Sequence, residues 1–491
     1  MPSISILEQY DSNVFFAPKS QLSGKKPDDL ITTITPQINL SQRSSQVTMN
    51  LSLGAVVQKF ANNSELDNFG FNAAAGIDFS RAVSNVLPRM KMARIYGTYQ
   101  FTPSASAFGA GGLGGGIGGG TFGSGGIGVT GPIDSGLVTR RIRTSLYNVG
   151  AATSYALSPT TDFQTSYGYS QISFGGNLAP TTTSTGQAVN TVFDTHTHTI
   201  SAGPTMRISG ADTVSFKYTF TQTSQASFGD FTFHTGTLGW GRNWTREMSS
   251  SVNGGLQLIE PTPDATAVGG QRRVPATMLP TGGFTVTYAS GSSFLRRLGS
   301  EIQEATGGSS SGAMSGGFLP ILPGMNMPGG IAAPGSYRVT LGYNLGVYPS
   351  FVQTAGPIYT HLVALTSAAG ITDRLTAQAG FNFAHSSFTA DTVGTTFNSY
   401  GTTVGLNYLI TPTFTAFLTH RWLQFDNNVT AVGAGDLSFS KQVVLLGLTY
   451  AYAPRGDFFR SGAFWEGASS ESSGAGSGSG TNSPGGVDLK K

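Results

Sequence analysis

Polar and apolar residues alternate along most of the chain. In "TVSFKYTFT" Val214, Phe216, Tyr218 and Phe220 fall on one side, with Ser215, Lys217, Thr219 and Thr221 on the other. "YRVTLGYNLGV" sets Tyr337, Val339, Leu341, Tyr343, Leu345 and Val347 against Arg338, Thr340, Gly342, Asn344 and Gly346. "LTAQAGFNF" opposes Leu375, Ala377, Ala379, Phe381 and Phe383 to Thr376, Gln378, Gly380 and Asn382. A period of two with one apolar and one polar face marks a strand that hides a single side. Each run covers roughly ten residues, nearly twice the usual strand length of a globular sheet. A tilted strand crossing a bilayer needs about 9–11 residues, apolar outward and polar inward.

Eighteen such segments follow one another, at 3–16, 29–42, 46–60, 66–81, 87–103, 141–158, 161–175, 192–208, 211–226, 231–245, 248–260, 278–290, 336–350, 357–371, 373–388, 396–411, 413–426 and 438–452. Every second connection tends to be very short, as in "SPTT", "SGAD", "TREM", "ITDR" and "ITPT", whereas those between tend to be longer, as at 17–28, 104–140, 176–191, 261–277 and 427–437. Short periplasmic turns opposite long external loops are the habit of outer-membrane barrels, and an even strand count returns both termini to the periplasm. The expected fold is therefore all-β: a transmembrane, antiparallel, up-and-down β-barrel of about eighteen strands, within 16–20, over residues 3–453.

Three stretches depart from the pattern. Residues 104–140 hold "FGAGGLGGGIGGGTFGSGGIG", read as a flexible extracellular loop; no Lys-Ser/Thr or helix follows it, which weighs against a phosphate cradle. Residues 291–335 are long where a short turn is due, and "SFLRRLGSEIQEA" spaces Phe294, Leu295, Leu298 and Ile302 along one helical face, with Ser293 as cap. This insert is expected in the periplasm or the lumen. The tail 454–491 is low-complexity and expected to be disordered.

Composition narrows the function classes. Only 11% of residues are charged and 38% apolar, while Gly reaches 68, Phe 32 and Tyr 17, a mixture suited to β-structure. The absence of cysteine removes disulfides, thiol catalysis and Cys-based zinc sites. A net charge of +3 without a basic block gives nucleic acid no purchase. No apolar run reaches the ~18 residues of a membrane helix. The opening "SISILEQYDSNVFF" shows no signal peptide, so the sequence is expected to be a mature or recombinant form of an exported protein.

Candidate chemistry is sparse. His196 and His198 in "DTHTHTI" share a strand face, but two ligands make no site and no third can be assigned; a polar stretch of wall facing water is the weightier reading. His234, His361, His385 and His420 are scattered, and no G-x-S-x-G elbow appears. No catalytic residue, cofactor or metal is expected. Arg94, Lys217 and Arg338 fall on polar faces and would point into the lumen, either biasing passage toward anions or pairing with neighbouring wall carboxylates. Trp240, Trp244 and Trp422 lie toward opposite strand ends, as aromatic belts at two membrane interfaces require.

Two resemblances complete the reading. "EQYDSNVFF" (8–16), "DDLITTITPQINLS" (28–41) and "NSELDNFGFNAAAGIDFS" (63–80) resemble the β-barrel porin 2 family, through Tyr10, Asp11, Asn13, Phe15, Asp29, Ile31, Ile34, Pro36, Ile38 and Leu40. Asp11 and Asn13 read more readily as shaping the end of the first strand than as ligands. In "KQVVLLGLTYAYAP", Gly447 followed by Tyr450 and Tyr452 resembles the C-terminal signal read by the barrel-assembly machinery, although that signal usually ends the chain. The family resemblance implies an outer-membrane barrel in contact with lipid. A barrel of about 16–18 strands encloses an aqueous channel unless something plugs it, hence passive passage of small polar solutes. The alternative is a structural or secretion-linked barrel serving exopolysaccharide or surface-protein export, with 291–335 or the tail touching periplasmic partners. A soluble solenoid adhesin is a third. A barrel should need detergent for extraction and migrate differently on gels before and after boiling; the adhesin would extract in buffer with no such shift.

Overall fold

The computed structural model describes residues 2–15, 26–105, 142–175, 181–182, 188–189, 194–225, 229–261, 276–290, 334–348, 358–388, 396–411, 413–428 and 438–452. One sheet holds eighteen strands: β1 (Pro2–Asp11), β2 (Asp29–Arg43), β3 (Thr48–Phe60), β4 (Asn68–Asp78), β5 (Met90–Ala105), β6 (Ile142–Ser158), β7 (Thr161–Gly175), β10 (Thr195–Arg207), β11 (Asp212–Gln225), β12 (Gly229–Asn243), β13 (Met248–Pro261), β14 (Thr277–Ser290), β15 (Tyr337–Tyr348), β16 (Ile358–Gly370), β17 (Leu375–Phe388), β18 (Thr396–Thr411), β19 (Phe414–Asn428) and β20 (Phe439–Ala451). A separate two-residue ladder, β8 (Thr181–Thr182) with β9 (Ala188–Val189), lies between β7 and β10 in sequence. Each strand of the large sheet pairs antiparallel with its successor, and β1 pairs with β20, so the sheet closes into an up-and-down barrel. All eighteen strands lie on the segments that alternation marks, and the count is eighteen.

The differences are local. β1 ends at Asp11 rather than near residue 16, because the Asp11 carboxylate accepts the Asn13 N–H at 3.0 Å and turns the chain. The fourth segment stops at Asp78, whose Oδ1 caps the Ser80 N–H at 2.9 Å, and a short helix α1 (Ser80–Val86) leads to β5. Residues 106–141, 291–333 and 453–491 lie outside the described set. The Gly-rich loop, the helix expected at Phe294–Ile302 and the tail lie there with them.

One device recurs at the short-turn end. A hydroxyl opens the turn and accepts backbone N–H groups two and three residues on. Ser44 takes Gln46 and Val47 at 3.3 and 3.0 Å, and Ser209 takes Ala211 and Asp212 at 3.1 and 3.0 Å. Thr245, Thr372 and Thr411 repeat it with Glu247/Met248, Arg374/Leu375 and Thr413/Phe414, and Ser158 bonds the Thr160 N–H. Such a turn meets its own donors within four residues.

The other end carries a clasp made by the N-terminal motif. Asp29 accepts the backbone N–H groups of Leu30, Asn62 and Asn63 and the side-chain amides of both asparagines, at 2.8–3.2 Å. Val14, Ile31, Phe60 and Leu66 bury against one another, with Phe15 packed on them. In the same loop the Lys59 ammonium, 2.7 Å from Asp67, and the Phe60 N–H hold the Asp67 carboxyl below the usual carboxylate range. Polar motif positions thus tie loop to strand, while Ile34, Ile38 and Leu40 point outward.

The closing seam has its own lock. Lys441 Nζ meets Asp11 Oδ2 at 2.7 Å, with the two side chains 8% and 2% exposed. Ser5 and Thr449 hydroxyls bond at 2.9 Å, and Ser12 and Gln442 exchange two bonds at 2.9 and 2.7 Å. Leu7, Val443, Leu445 and Phe417 bury beside them. Lys441→Ala should lower stability by ~3 kcal/mol, since it strands a buried carboxylate. Lys441→Met combined with Asp11→Asn should recover much of that, because the amide keeps the Asn13 bond. The midpoint of urea unfolding, followed by the gel shift, reads both.

Candidate functional site

Closure gives the wall two faces with opposite chemistry. On β20 the residues Val444, Leu446 and Leu448 are exposed at 39%, 58% and 51%, while Lys441, Val443 and Leu445 between them are buried. Each of the eighteen strands exposes a large apolar side chain in this way, from Ile6 on β1 through Ile200 on β10 and Leu365 on β16 to Leu418 on β19. Soluble proteins rarely expose apolar patches beyond a few hundred Å². A belt running round the whole barrel needs an apolar solvent.

Aromatic girdles bound the belt. At the short-turn end Trp240 and Trp244 meet edge to face at 6.1 Å, Tyr288 and Tyr337 at 5.6 Å, and Phe414 and Tyr450 at 4.8 Å. Their polar atoms are held: Trp244 Nε1 donates to Ser250 at 2.7 Å, and the Tyr288 hydroxyl to Glu247 at 2.8 Å. The Arg242 guanidinium lies 4.5 Å over Trp244. Toward the other end Trp422 donates to Ser440 at 3.2 Å, but tyrosine–histidine pairs dominate. Tyr167, Tyr169, Tyr218 and Tyr343 reach the Nδ1 atoms of His198, His196, His234 and His361 at 3.0, 3.1, 2.7 and 3.0 Å. All six histidines, His420 included, share the outward parity of their strands. Ten residues separate His234 from Trp244. At ~3.3 Å per residue and a tilt of about 40°, that spans roughly 25 Å of bilayer normal, the height of such an apolar band.

The inner face is polar and mostly uncharged. Ser5, Thr33, Gln37, Ser52, Asn72, Thr197, Thr223, Asn382, Ser386 and Asn407 lie on it, all buried. Small and large residues pair across strands there. Gly447 faces Phe417 and Gly150 faces Tyr96, and a Cβ at either glycine would strike the ring lying over it. These rings lie along the wall because the facing residue has no side chain.

The charged candidates are placed as follows. Arg94 stands opposite Asp78 in register near the short-turn end, and Arg338 stands opposite Ala289 and Ala368 at the same end. Lys217 is at mid-strand opposite Thr237 and 9% exposed. Arg421 also lies on the inner face and was not singled out from sequence. It lies between Thr403 and Val443, with its enclosed Nε lacking a hydrogen-bond partner among the described residues. Its signal was its parity with Phe417 and Thr419, obscured by its neighbours His420 and Trp422. Gly447 lies on the inner face, Tyr450 on the outer face against Phe414, and Tyr452 just beyond β20, 54% exposed.

No family model matches this chain, and no curated protein does. Among solved structures it is similar to Acinetobacter baumannii OccAB3, at a TM-score of 0.42 and 7% identity over 91% of this chain and 98% of that one. Pseudomonas aeruginosa OprD gives 0.38 and 9% over 91% and 93%, and OpdK from the same organism 0.40 and 10% over 92% and 98%.

Two adjacent leucines test which solvent each face meets. Leu446→Arg should cost about 2–4 kcal/mol of folding free energy in a bilayer. In water, an exposed leucine could be replaced within about 0.5 kcal/mol. Leu445→Ala should cost about 2–5 kcal/mol in either solvent through loss of packing. Unfolding titrations in lipid vesicles measure both variants.

Proposed function

We propose that the chain is a Gram-negative outer-membrane channel for the passive passage of small polar solutes. One observation carries this: a closed eighteen-strand wall with a continuous apolar belt outside and serine, threonine, asparagine and glutamine inside. Barrels of about this size enclose an aqueous lumen. Solutes are selected by size and by the field of the wall side chains, with no bond made or broken.

The field is set by Arg94, Lys217, Arg338 and Arg421. Lys217 on β11 and Arg421 on β19 are eight steps apart around eighteen strands, so they stand nearly opposite one another across the lumen. Two cations at mid-wall favour anions over cations of equal size. Assembly enters through the last strand, where Tyr450 and Tyr452 present the aromatic part of the signal outward and Gly447 admits Phe417 on the inner face.

Purified barrel added to a planar bilayer should give discrete conductance steps with anion preference. Lys217→Gln and Arg421→Gln should each move the anion-to-cation permeability ratio toward one, and the double variant further. A folded, heat-modifiable barrel that never conducts would overturn the channel. Steps whose ion preference ignores both substitutions would overturn only the assigned field.

A further inference from the structure

A pair of imidazoles on the outer wall has the form of a chelate. His361 on β16 and His385 on β17 are direct register partners, with ring centroids 6.1 Å apart. His385 Nδ1 lies 2.7 Å from Asn398 Oδ1, an acceptor, so Nδ1 carries the proton and donates it. His361 Nδ1 lies 3.0 Å from the Tyr343 hydroxyl, and Tyr359 packs edge-on against the same ring at 5.4 Å. Neither Nε2 atom has a partner among the described residues. Metal-ligating histidines are typically held in this way, with an oxygen on the second ring nitrogen fixing tautomer and orientation.

We propose that His361 and His385 bind a late first-row divalent cation through their Nε2 atoms, Cu(II) more tightly than Zn(II). Asn398 and Tyr343 are the positioning residues. With metal–nitrogen bonds of ~2.0–2.1 Å, two imidazole centroids stand about 5 Å apart at a tetrahedral metal and about 6.4 Å apart at a linear one. The observed 6.1 Å lies between the two. Imidazole suits zinc, nickel and copper, and affinity peaks at Cu(II). No third His, Asp or Glu joins the pair among the described residues, so water or an external ligand completes the coordination.

The second outer pair provides a contrast within the same molecule. His196 and His198 also have their Nδ1 atoms held, by Tyr169 and Tyr167. They lie two apart on one strand, a backbone separation of ~6.6 Å, against ~5 Å between Cβ atoms of a direct cross-strand pair. The Tyr169 ring packs against both, at 6.5 and 4.9 Å. The cross-strand pair is the better chelate.

The test uses the full chain, purified and folded in non-ionic detergent, with Cu(II) and Zn(II) chloride as probes in calorimetry. One equivalent should bind, Cu(II) ahead of Zn(II). His361→Gln and His385→Gln should each weaken binding at least about tenfold, and Asn398→Ala about tenfold. The double variant His196→Gln/His198→Gln should stay within twofold of the parent. The copper-loaded parent should show a two-nitrogen pattern by electron paramagnetic resonance, a readout independent of any variant's folding. Unchanged affinity in both His361→Gln and His385→Gln, or a copper signal without nitrogen coupling, would overturn the site.

Discussion

A sheet with a free edge cannot persist in hydrocarbon, because each unpaired N–H or C=O there costs several kcal/mol. The barrel meets this demand at one place, the ladder from Ser3–Ala451 to Asp11–Val443 that joins the first strand to the last. Every other pairing in the large sheet joins strands that follow one another along the chain. The seam must bring together residues more than 400 positions apart, and a buried ion pair, a hydroxyl pair and an apolar cluster gather along it. Unfolding that begins at the seam opens the only pair of edges the sheet has.

Closure also divides the hydrophobic effect between two media. A globular fold stabilises itself by moving apolar area from water to its own interior. Here the larger apolar side chains of β20 face away from the molecule, and lipid does for Val444, Leu446 and Leu448 what a core does elsewhere. The interior carries hydroxyl and amide groups that bond across strands, as between Thr360 and Ser386 at 2.9 Å and between Gln37 and Ser52 at 3.0 Å, beside small apolar clusters such as Leu7, Phe417, Val443 and Leu445. Such an interior is shaped by hydrogen bonds and cross-strand size matching.

The strands were legible in the sequence because two solvents impose a strict period on each. The turns were legible as well, since a hydroxyl at the first position is a local signal. What escaped was non-local. Nothing near Asp29 in sequence announces that its carboxylate will hold Asn62 and Asn63, and nothing near Lys441 announces Asp11. The helix at Ser80–Val86 escaped because Phe79 and Ile77 continue the strand's alternation up to its first residue. The histidines could have been placed by parity: His196 shares a face with Ile200, His234 with Leu238 and His361 with Leu365. Read residue by residue they looked scattered, and only register brings His361 beside His385. Arg94, Lys217 and Arg338 stood out by the polar parity of their strands, but Arg421 was masked by the large residues on either side.

The hydroxyl-opened turns bear on how such a wall changes size. Each closes its own hairpin with hydrogen bonds inside four residues, so a turn with its two flanking strands is a unit that can be added whole. Duplicating one inserts two strands, preserves the inside–outside parity of all the others and returns the chain to the membrane side it left. The circumference of this architecture is therefore heritable in steps of two, and gene duplication within a single chain is enough to widen it or narrow it.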